Sequence, residues 1–420
     1  MHVLRVAASG NSALRPFRFG TPSVSRAARR VIPAGLTLLL LAGCGGSSAN
    51  SSGSGKAPLV VGNIETMTGP LASSLEWLNP GIQAWAKWAN AHGGINGHQV
   101  DLITLDDGGN PATSVTDART LINDDHAAVL IDTTSTDTSW AALAAQAKVP
   151  VIADLSNPEP NSDFFASATP LVPTGNEGSF QAAAKAGATR LAFMYCTESP
   201  ACAAAVPVAK QDSAPYGLKL AYEAGIAASA PSYTSECLAA KAAHANVITT
   251  YDSADVQLRV AEACSTQGFK FMFLSTGNQI FESWLKTPAA NDTIVEDAVF
   301  PFIDSSSPAT RTFQSAMRKY EPAVVNSGNF GEAQAAGWTA GEVITAAAQL
   351  GHAGVGGTPT SAQIIKGLFS MRRDTLGGLA PPLTYTHQSN ENSLIKCYFE
   401  MAAKDGKFVE PNGSRPLCLS

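Results

Sequence analysis

Short runs rich in Val, Ile and Leu alternate with longer alanine-rich segments from Lys56 onward, and this alternation constrains the fold most strongly. The first strand candidates are Leu59–Ile64, Val100–Leu105, Ala128–Asp132 and Val151–Ala153. Helix candidates lie between them at Gly81–Ala91, Pro111–Asn123 and Ser139–Lys148. Strands that alternate with helices usually pair in parallel. The sequence therefore predicts an α/β protein.

A second series of the same kind follows. Its strand candidates are Leu191–Tyr195, Leu218–Tyr222, Asn246–Tyr251, Phe271–Ser275 and Ala298–Phe302. Two series in one chain favour two similar lobes, and prolines near 170–173, 301 and 381–382 mark where the chain would cross between them. Near the end, the pair Asp405-Gly406 separates two apolar runs and is typical of a hairpin turn.

The first 43 residues have the composition of an export signal. They contain six Arg and no Asp or Glu, and an apolar run from Val31 to Ala42 ends at Leu41-Ala42-Gly43-Cys44. The run is too short to span a bilayer. The ending resembles the lipobox of bacterial lipoproteins, in which the cysteine becomes the lipid-modified first residue. The resemblance implies an extracytoplasmic protein, anchored by Cys44 to the outer face of the cytoplasmic membrane.

The charge balance excludes some partners. The whole chain has 28 Lys and Arg against 34 Asp and Glu, and removal of the arginine-bearing leader makes the remainder more acidic. A protein that binds nucleic acid needs a basic surface against the phosphates. We therefore expect no nucleic-acid partner, and we expect membrane attachment through the lipid alone. Residues 44–56, rich in Gly and Ser, read as a flexible tether.

Six cysteines remain once Cys44 is set aside. They are Cys196, Cys202, Cys237, Cys264, Cys397 and Cys418. Outside the cytoplasm an even set favours three disulfides, although the count leaves their connectivity open. We prefer the pairing of nearest neighbours along the chain. A metal site is the alternative, but no Cys/His cluster has ligand spacing, so we expect no metal and no cofactor.

Several motifs together resemble one family. They are Val60-Val61-Gly62-Asn63-Ile64, Thr68-Gly69-Pro70-Leu71-Ala72, Gly93-Gly94-Ile95-Asn96-Gly97, Asp106-Asp107 and Asn110-Pro111-Ala112-Thr113. The chain is similar at these segments to the type I solute-binding proteins of ABC importers, the Leu/Ile/Val-binding group. The resemblance extends more loosely to Gly378–Tyr385.

This resemblance implies a periplasmic-binding-protein type I fold with two lobes and three crossover strands. The N-terminal lobe would comprise 57–173 and 302–378, and the C-terminal lobe 174–301 and 379–420. A monomer of this kind closes on a small polar ligand, an amino acid or a related carboxylate or amide, and presents it to the permease of an ABC transporter. Two acidic pairs, Asp106-Asp107 and Asp124-Asp125, would then be structural or solvated.

The resemblance also implies a set of ligand-binding residues in the N-terminal lobe. In the family, loops of Ser and Thr after the third and fourth strands bind the ligand, and their donors suit an anionic oxygen. Ser74 falls where relatives carry a pocket aromatic, and Trp77 follows three positions later. The candidates in this lobe are Ser74, Trp77, Thr134, Ser135, Thr136, Leu155 and Ser156. Each hydroxyl has an alternative role as a helix cap or turn residue.

In the C-terminal lobe the sequence departs from the family. The candidates there are Glu198, Tyr251, Thr276 and Asn278. The family's Tyr-Gly pair after the strand ending at Tyr195 is replaced by a cysteine-flanked loop, and the segment 275–279 lacks the acidic residue that meets an α-ammonium group. A buried ammonium without a counter-charge is costly. We therefore hypothesise a ligand with an acid or amide group and no simple α-ammonium, unless Glu198 supplies the charge.

Two other functions remain open at this point. A lipoprotein of the same fold could signal to a membrane partner instead of feeding a permease, and the sequence does not separate these roles. An exported enzyme is the third alternative. The chain has no G-x-S-x-G elbow, no P-loop and no H-E-x-x-H, so we expect no catalytic residues.

Overall fold

Two separate sheets organise the chain. The computed structural model describes residues 56–69, 72–153, 164–166, 177–198, 200–386, 395 and 397–419. Among the sequence predictions, the leader, Cys44, the tether up to residue 55, Leu155 and Ser156 lie outside these residues.

The first sheet consists of five parallel strands. They are β1 (Leu59–Glu65), β2 (Val100–Asp106), β3 (Val129–Thr133), β4 (Val151–Ala153) and β5 (Phe164–Ala166), in the order β2-β1-β3-β4-β5. The intervening helices are α1 (Ala72–Leu75), α2 (Asn79–Ala91), α3 (Pro111–Arg119) and α4 (Ala141–Ala147). The α3 helix begins as its sequence predicts, because the Asn110 side chain accepts from the N–H of Ala112 (2.9 Å) and Pro111 takes the first position.

The second sheet is mixed. Its parallel strands are β6 (Arg190–Cys196), β7 (Lys219–Ile226), β8 (Val247–Tyr251), β9 (Met272–Thr276) and β10 (Thr293–Asp297). The antiparallel strands β11 (Cys397–Lys404), β12 (Lys407–Val409) and β13 (Leu417–Cys418) extend it beyond β10. Its helices are α5 (Glu177–Lys185), α6 (Pro200–Ser213), α7 (Thr234–Ala242) and α8 (Ala254–Thr266). The predicted hairpin turn is present, with Asp405 and Gly406 both at positive φ.

The last four helices return to the first sheet. They are α9 (Pro308–Tyr320), α10 (Pro322–Val325), α11 (Glu332–Leu350) and α12 (Ser361–Leu368). The α11 helix packs against α2, α12 and β4. Its glycines permit the close approach to α2, because a β-carbon on Gly341 would overlap the ring of Trp85. The crossing of these two buried helices is thus set by small residues on one of them.

One strand prediction is wrong. The strand before the second crossing is Thr293–Asp297, all five residues of which are buried, and not Ala298–Phe302. Hydropathy does not predict this strand because it contains Glu296 and Asp297, and buried strands normally lack acids. The apolar residues 298–302 instead lead toward α9, and the N–H of Phe300 donates to the carbonyl of Leu379 (3.1 Å).

The structure contains the three disulfides of the nearest-neighbour scheme. Cys196 pairs with Cys202, Cys237 with Cys264, and Cys397 with Cys418. They join β6 to α6, α7 to α8, and β11 to β13. Each bridge therefore closes a local loop within the second sheet and its helices.

Candidate functional site

The parallel strands of each sheet end at one edge, and the loops at these two edges hold most of the predicted site residues. Small molecules bind in open α/β sheets at the carboxyl ends of the strands. The described residues directly after β1 to β3 and β6 to β10 contain no Lys or Arg; they are 66–69, 107–110, 134–140, 197–198, 227–233, 252–253, 277–281 and 298–307. Hydroxyls, amides, carboxylates and backbone groups are therefore the polar groups that these loops offer.

Asp107 is the centre of a hydroxyl cluster at the edge of the first sheet. Its buried carboxylate accepts from the hydroxyls of Thr66 (2.9 Å) and Thr136 (2.9 Å), from the Thr134 hydroxyl, and from the N–H of Gly109 (2.7 Å). The cluster joins the ends of β1, β2 and β3. Thr134 and Thr136, both predicted to bind ligand, thus have their hydroxyls engaged by Asp107.

Ser135 differs from its two neighbours. Its side chain is exposed, and its backbone N–H donates to Thr66 Oγ1 (3.3 Å). Among the described residues its hydroxyl has no hydrogen-bond partner. The Asp107 cluster therefore fixes the backbone of this loop and leaves the Ser135 hydroxyl free to contact a solute.

A further acid, Asp106, holds the loop that follows β1, and another, Glu65, lies at the end of that strand. The Asp106 carboxylate accepts from the N–H groups of Met67 (2.9 Å) and Thr68 (3.2 Å) and from the Thr68 hydroxyl (2.8 Å). Burial alone would raise the pKa of Asp106, but these hydrogen bonds and one from Gly108 lower it. Glu65 is buried at the end of β1, and burial raises the pKa of its carboxyl well above the usual range.

Trp77 lies where the first sheet's helices meet the segment after β9. Its ring is 6.0 Å from that of Phe281, in an edge-to-face arrangement. Its carbonyl accepts from Gln334 Nε2 (2.9 Å), which fixes the backbone to α11. Ser74 lies in α1, and its side chain is not among those described. Trp77 is therefore placed to respond to movement between the two sheets.

The second sheet brings two tyrosines together at its edge. Tyr195, the penultimate residue of β6, is in register with Tyr251, the last residue of β8, and burial raises the pKa of Tyr251. Among the described residues neither phenol has a hydrogen-bond partner. Thr276 ends β9 opposite Glu296 and is half-buried, and Asn278 lies in the turn 277–279 with its side chain outside those described.

Glu198 contacts its own loop. One carboxylate oxygen accepts from the N–H of Ala228 (2.7 Å) and the other from the N–H of Thr197 (3.0 Å). The side chain therefore joins the loops that follow β6 and β7. Both oxygens have a partner before any ligand is considered.

A groove of about 610 Å³ lies beside the second sheet. Leu285, Phe302, Phe408 and Lys407 are among its lining residues. It adjoins the β11–β12 hairpin, which pairs with the amino-terminal end of β10. None of its lining residues is among the predicted site residues, so we do not assign the candidate site to it.

Comparisons with known proteins decide the family. Residues 58–407 match the model of the periplasmic binding protein family. The chain belongs to the type I periplasmic binding proteins. A comparison with curated proteins found no match.

Solved structures of low sequence identity share the fold of this periplasmic binding protein. An extracellular ligand-binding receptor from Rhodopseudomonas palustris HaA2 is 18% identical, with a TM-score of 0.67, over 84% of this chain and 99% of that chain. A branched chain amino acid ABC transporter from Thermus thermophilus with bound valine is 15% identical, with a TM-score of 0.70, over 87% and 97%. A solute binding protein of an R. palustris ABC transporter in complex with benzoate is 15% identical, with a TM-score of 0.66, over 87% and 98%.

Sequence reasoning missed Asp252 in this binding protein. Its buried Oδ1 accepts from the N–H of Ser253 (2.7 Å), whereas its Oδ2 has no partner among the described residues. Burial, supported by the charge of Glu198, raises the pKa of Asp252 to about 6. The carbonyl of Asp252 accepts from Gln279 Nε2 (3.0 Å), so the residue lies against the turn after β9. Its position directly after a predicted strand was the available signal.

No helix within the described residues of this periplasmic binding protein combines the length and hydropathy needed to cross a bilayer. The strand ends of its two sheets supply a free serine hydroxyl, two phenols and a buried carboxylate. These groups can donate and accept hydrogen bonds, and they carry no positive charge.

Proposed function

We propose that this protein is the lipid-anchored solute receptor of an ABC importer and captures a small polar solute between two lobes. The supporting observation is the contact between the carboxyl-end edges of the two sheets. The α1 helix, which follows β1, touches both α8 and the turn 277–279 of the second sheet. A solute held by both edges would bridge the two sheets, which is the arrangement that couples binding to closure.

The proposed lobes are those predicted from the sequence, 57–173 with 302–378 and 174–301 with 379–420. The packing of α9 against α2, and of α11 against α2, α12 and β4, supports assigning the segment 302–378 to the first sheet. The strands β11 to β13 pair with β10 and so support assigning the C-terminal segment to the second sheet.

The polar groups at the strand ends favour a solute with N–H donors. The hypothesis of a ligand without an α-ammonium depends on the lack of a carboxylate in 275–279. Asp252, held against Gln279 of that segment, brings a carboxylate oxygen with no partner among the described residues. A buried acceptor is stabilised by a donor from the ligand. We therefore propose an amide or an amino acid as the solute class, with Ser135 and Tyr251 as further contacts.

A thermal-shift screen of amino acids, amides, organic acids and sugars tests this proposal. A ligand at 100 times its Kd stabilises the protein by about 2.7 kcal/mol. We expect amides or amino acids to raise the Tm, and Asp252→Asn and Ser135→Ala to reduce that rise. The exposed Ser315→Ala in α9 serves as the matched control. A response to simple carboxylates or sugars alone would refute the proposed solute class, and no response to any solute would refute the receptor function.

Delivery to a permease is a separate part of the proposal. Reconstituted vesicles that hold the permease and ATPase subunits should take up the solute only when this protein is added. ATP hydrolysis without uptake would instead indicate that the protein signals to its membrane partner.

A further inference from the structure

Two buried carboxyl side chains meet beneath the turn that follows β9. Asp297 is the last residue of β10, and Glu332 is the first residue of α11; both are at most 1% exposed. A β-carbon on Gly277 would overlap both Asp297 Oδ1 and Glu332 Cγ. The two side chains therefore both lie where a side chain at position 277 would otherwise be.

These carboxyls have almost no hydrogen-bond donors. Among the described residues, neither oxygen of Asp297 has a partner, and Oε1 of Glu332 has none. Glu332 Oε2 accepts from the N–H of Phe302 (2.8 Å). An ionised carboxylate buried in this way is costly, because desolvation is not repaid by donors or by a cation.

The charged groups around the pair are acids. Glu296 precedes Asp297 on β10, Glu400 lies opposite Glu296 on β11, and Glu410 follows β12. Their charges oppose ionisation of Asp297, and that of Glu410 also opposes ionisation of Glu332. On α5, the charge of Lys185 favours ionisation of Glu400, and the charge of Glu177 opposes ionisation of Glu296. No described cation favours ionisation of Asp297 or Glu332 themselves.

We propose that Asp297 and Glu332 hold one proton between them at neutral pH, and that this proton keeps the start of α11 against the end of β10. Burial is the main cause that raises the pKa of both carboxyls. The charge of Asp297 is the next cause for Glu332, and that of Glu296 is the next for Asp297. Two carboxyls at one site cannot both ionise without repulsion, so the pair titrates in two macroscopic steps.

The pair lies between the two sheets, so binding of its proton should depend on how the lobes are arranged. Asp297 belongs to the second sheet, whereas α11 packs against α2, α12 and β4 of the first. A change in lobe arrangement that separates the two carboxyls would lower their proton affinity. By linkage, loss of the proton at alkaline pH would favour that separated arrangement. This consequence depends on the proposed closure about a ligand, whereas the shared proton does not.

Infrared difference spectroscopy of the full-length protein without ligand tests the pair directly. The carbonyl band of protonated carboxyl groups is followed during a pH titration of the wild type, Asp297→Asn and Glu332→Gln. We expect each variant to shift the last deprotonation step of the remaining partner at least tenfold in proton affinity, about one pH unit, to lower pH. The like charge is then gone, and the new amide donates to the remaining carboxylate.

Glu342→Gln is the matched control, because Glu342 lies farther along α11 and its carboxyl pKa is raised by burial to about 7. This variant should remove one step and leave the pair unmoved. If Asp297→Asn leaves the Glu332 step in place, the two acids titrate independently and the proposal fails. It also fails if neither carboxyl is protonated at pH 7. Circular dichroism identifies a variant that does not fold. In that case the other single variant is used to test the proposal. Since no solute is present, these outcomes leave the receptor function untouched.

Discussion

The ring of Trp77 lies edge-to-face on the ring of Phe281, 6.0 Å away, and so joins a helix connection of the first sheet to the segment after β9 in the second. Such a pair contributes about 0.5–1.5 kcal/mol beyond its buried area. The contact is thus strong enough to bias how the two sheets lie against each other, yet weak enough for a ligand to alter.

We expect Trp77 to report solute binding. A solute identified by thermal shift should change the intrinsic fluorescence of the wild type, and Trp77→Phe should abolish most of that change. Trp88, whose ring lies against His92 and Trp338, is the matched control, and Trp88→Phe should keep the signal. An undiminished signal in Trp77→Phe would mean that this contact does not change on binding.

Gly341→Ala should destabilise the protein by about 1–3 kcal/mol, the usual effect of overpacking a core. The added methyl would overlap the buried ring of Trp85, so α2 and α11 would have to move apart. Urea unfolding measures the loss. Gly357→Ala, where a β-carbon meets nothing within 4 Å, is the control and should be close to neutral. Equal stabilities for the two variants would show that the α2–α11 approach can relax freely.

The sequence predicted the parallel strands well wherever their burial is apolar. Leu59–Ile64 and Leu191–Tyr195 nearly coincide with β1 and β6. The prediction failed at β10, because Glu296 and Asp297 are buried acids that only tertiary packing makes tolerable. Periodicity and hydropathy report the usual composition of a strand, and they miss a strand that carries unusual buried charge.

The sequence predicted where the candidate site lies, but it did not predict which side chains there contact one another. The residue types after the strands pointed to Thr134, Ser135 and Thr136, but only the three-dimensional structure shows that Asp107 engages two of these hydroxyls. Asp107 is distant from them in sequence, so no local pattern reveals the competition. Asp252 was missed because the burial of its carboxylate depends on the fold and has no signal in the local sequence.

Glu296 should make the protein less stable as the pH rises. Burial raises the pKa of its carboxyl to about 8, above the ordinary value of 4.5. A folded-state pKa above the unfolded value gives stability that is complete below about pH 4.5 and is lost as the pH rises toward 8. The loss amounts to about 1.4 kcal/mol for each pH unit for one such proton.

Glu296→Gln should remove this contribution and flatten the curve of unfolding free energy against pH. Urea unfolding between pH 5 and pH 8 measures the slope. Glu223→Gln, at an exposed position of β7, should leave the slope unchanged. If the unfolding free energy depends on pH equally in the wild type and in Glu296→Gln, the proton responsible is not on Glu296.

A disulfide that closes a longer loop should contribute more to stability. Cys237 and Cys264 are 27 residues apart, whereas Cys196 and Cys202 are 6 apart. By chain entropy, replacing the first pair with alanines should cost about 3.5 kcal/mol and replacing the second about 2 kcal/mol. Urea unfolding measures both losses. Peptide mapping without reduction checks the pairing, and free thiols in the folded protein would contradict it.

Cys44 should determine where the protein resides without affecting what it binds. The lipid is the expected anchor because the predicted export signal ends at this residue, and the Gly- and Ser-rich segment behind it would separate the anchor from β1. Cys44→Ala should therefore move the protein from the membrane fraction to the soluble fraction. Fractionation with detection of the chain measures this change. Its solute affinity, measured by calorimetry, should equal that of the wild type because the strand ends of the proposed site begin after residue 65. A variant that stays with the membrane would show that another segment anchors the chain, and a loss of affinity would show that the anchor region belongs to the folded domain.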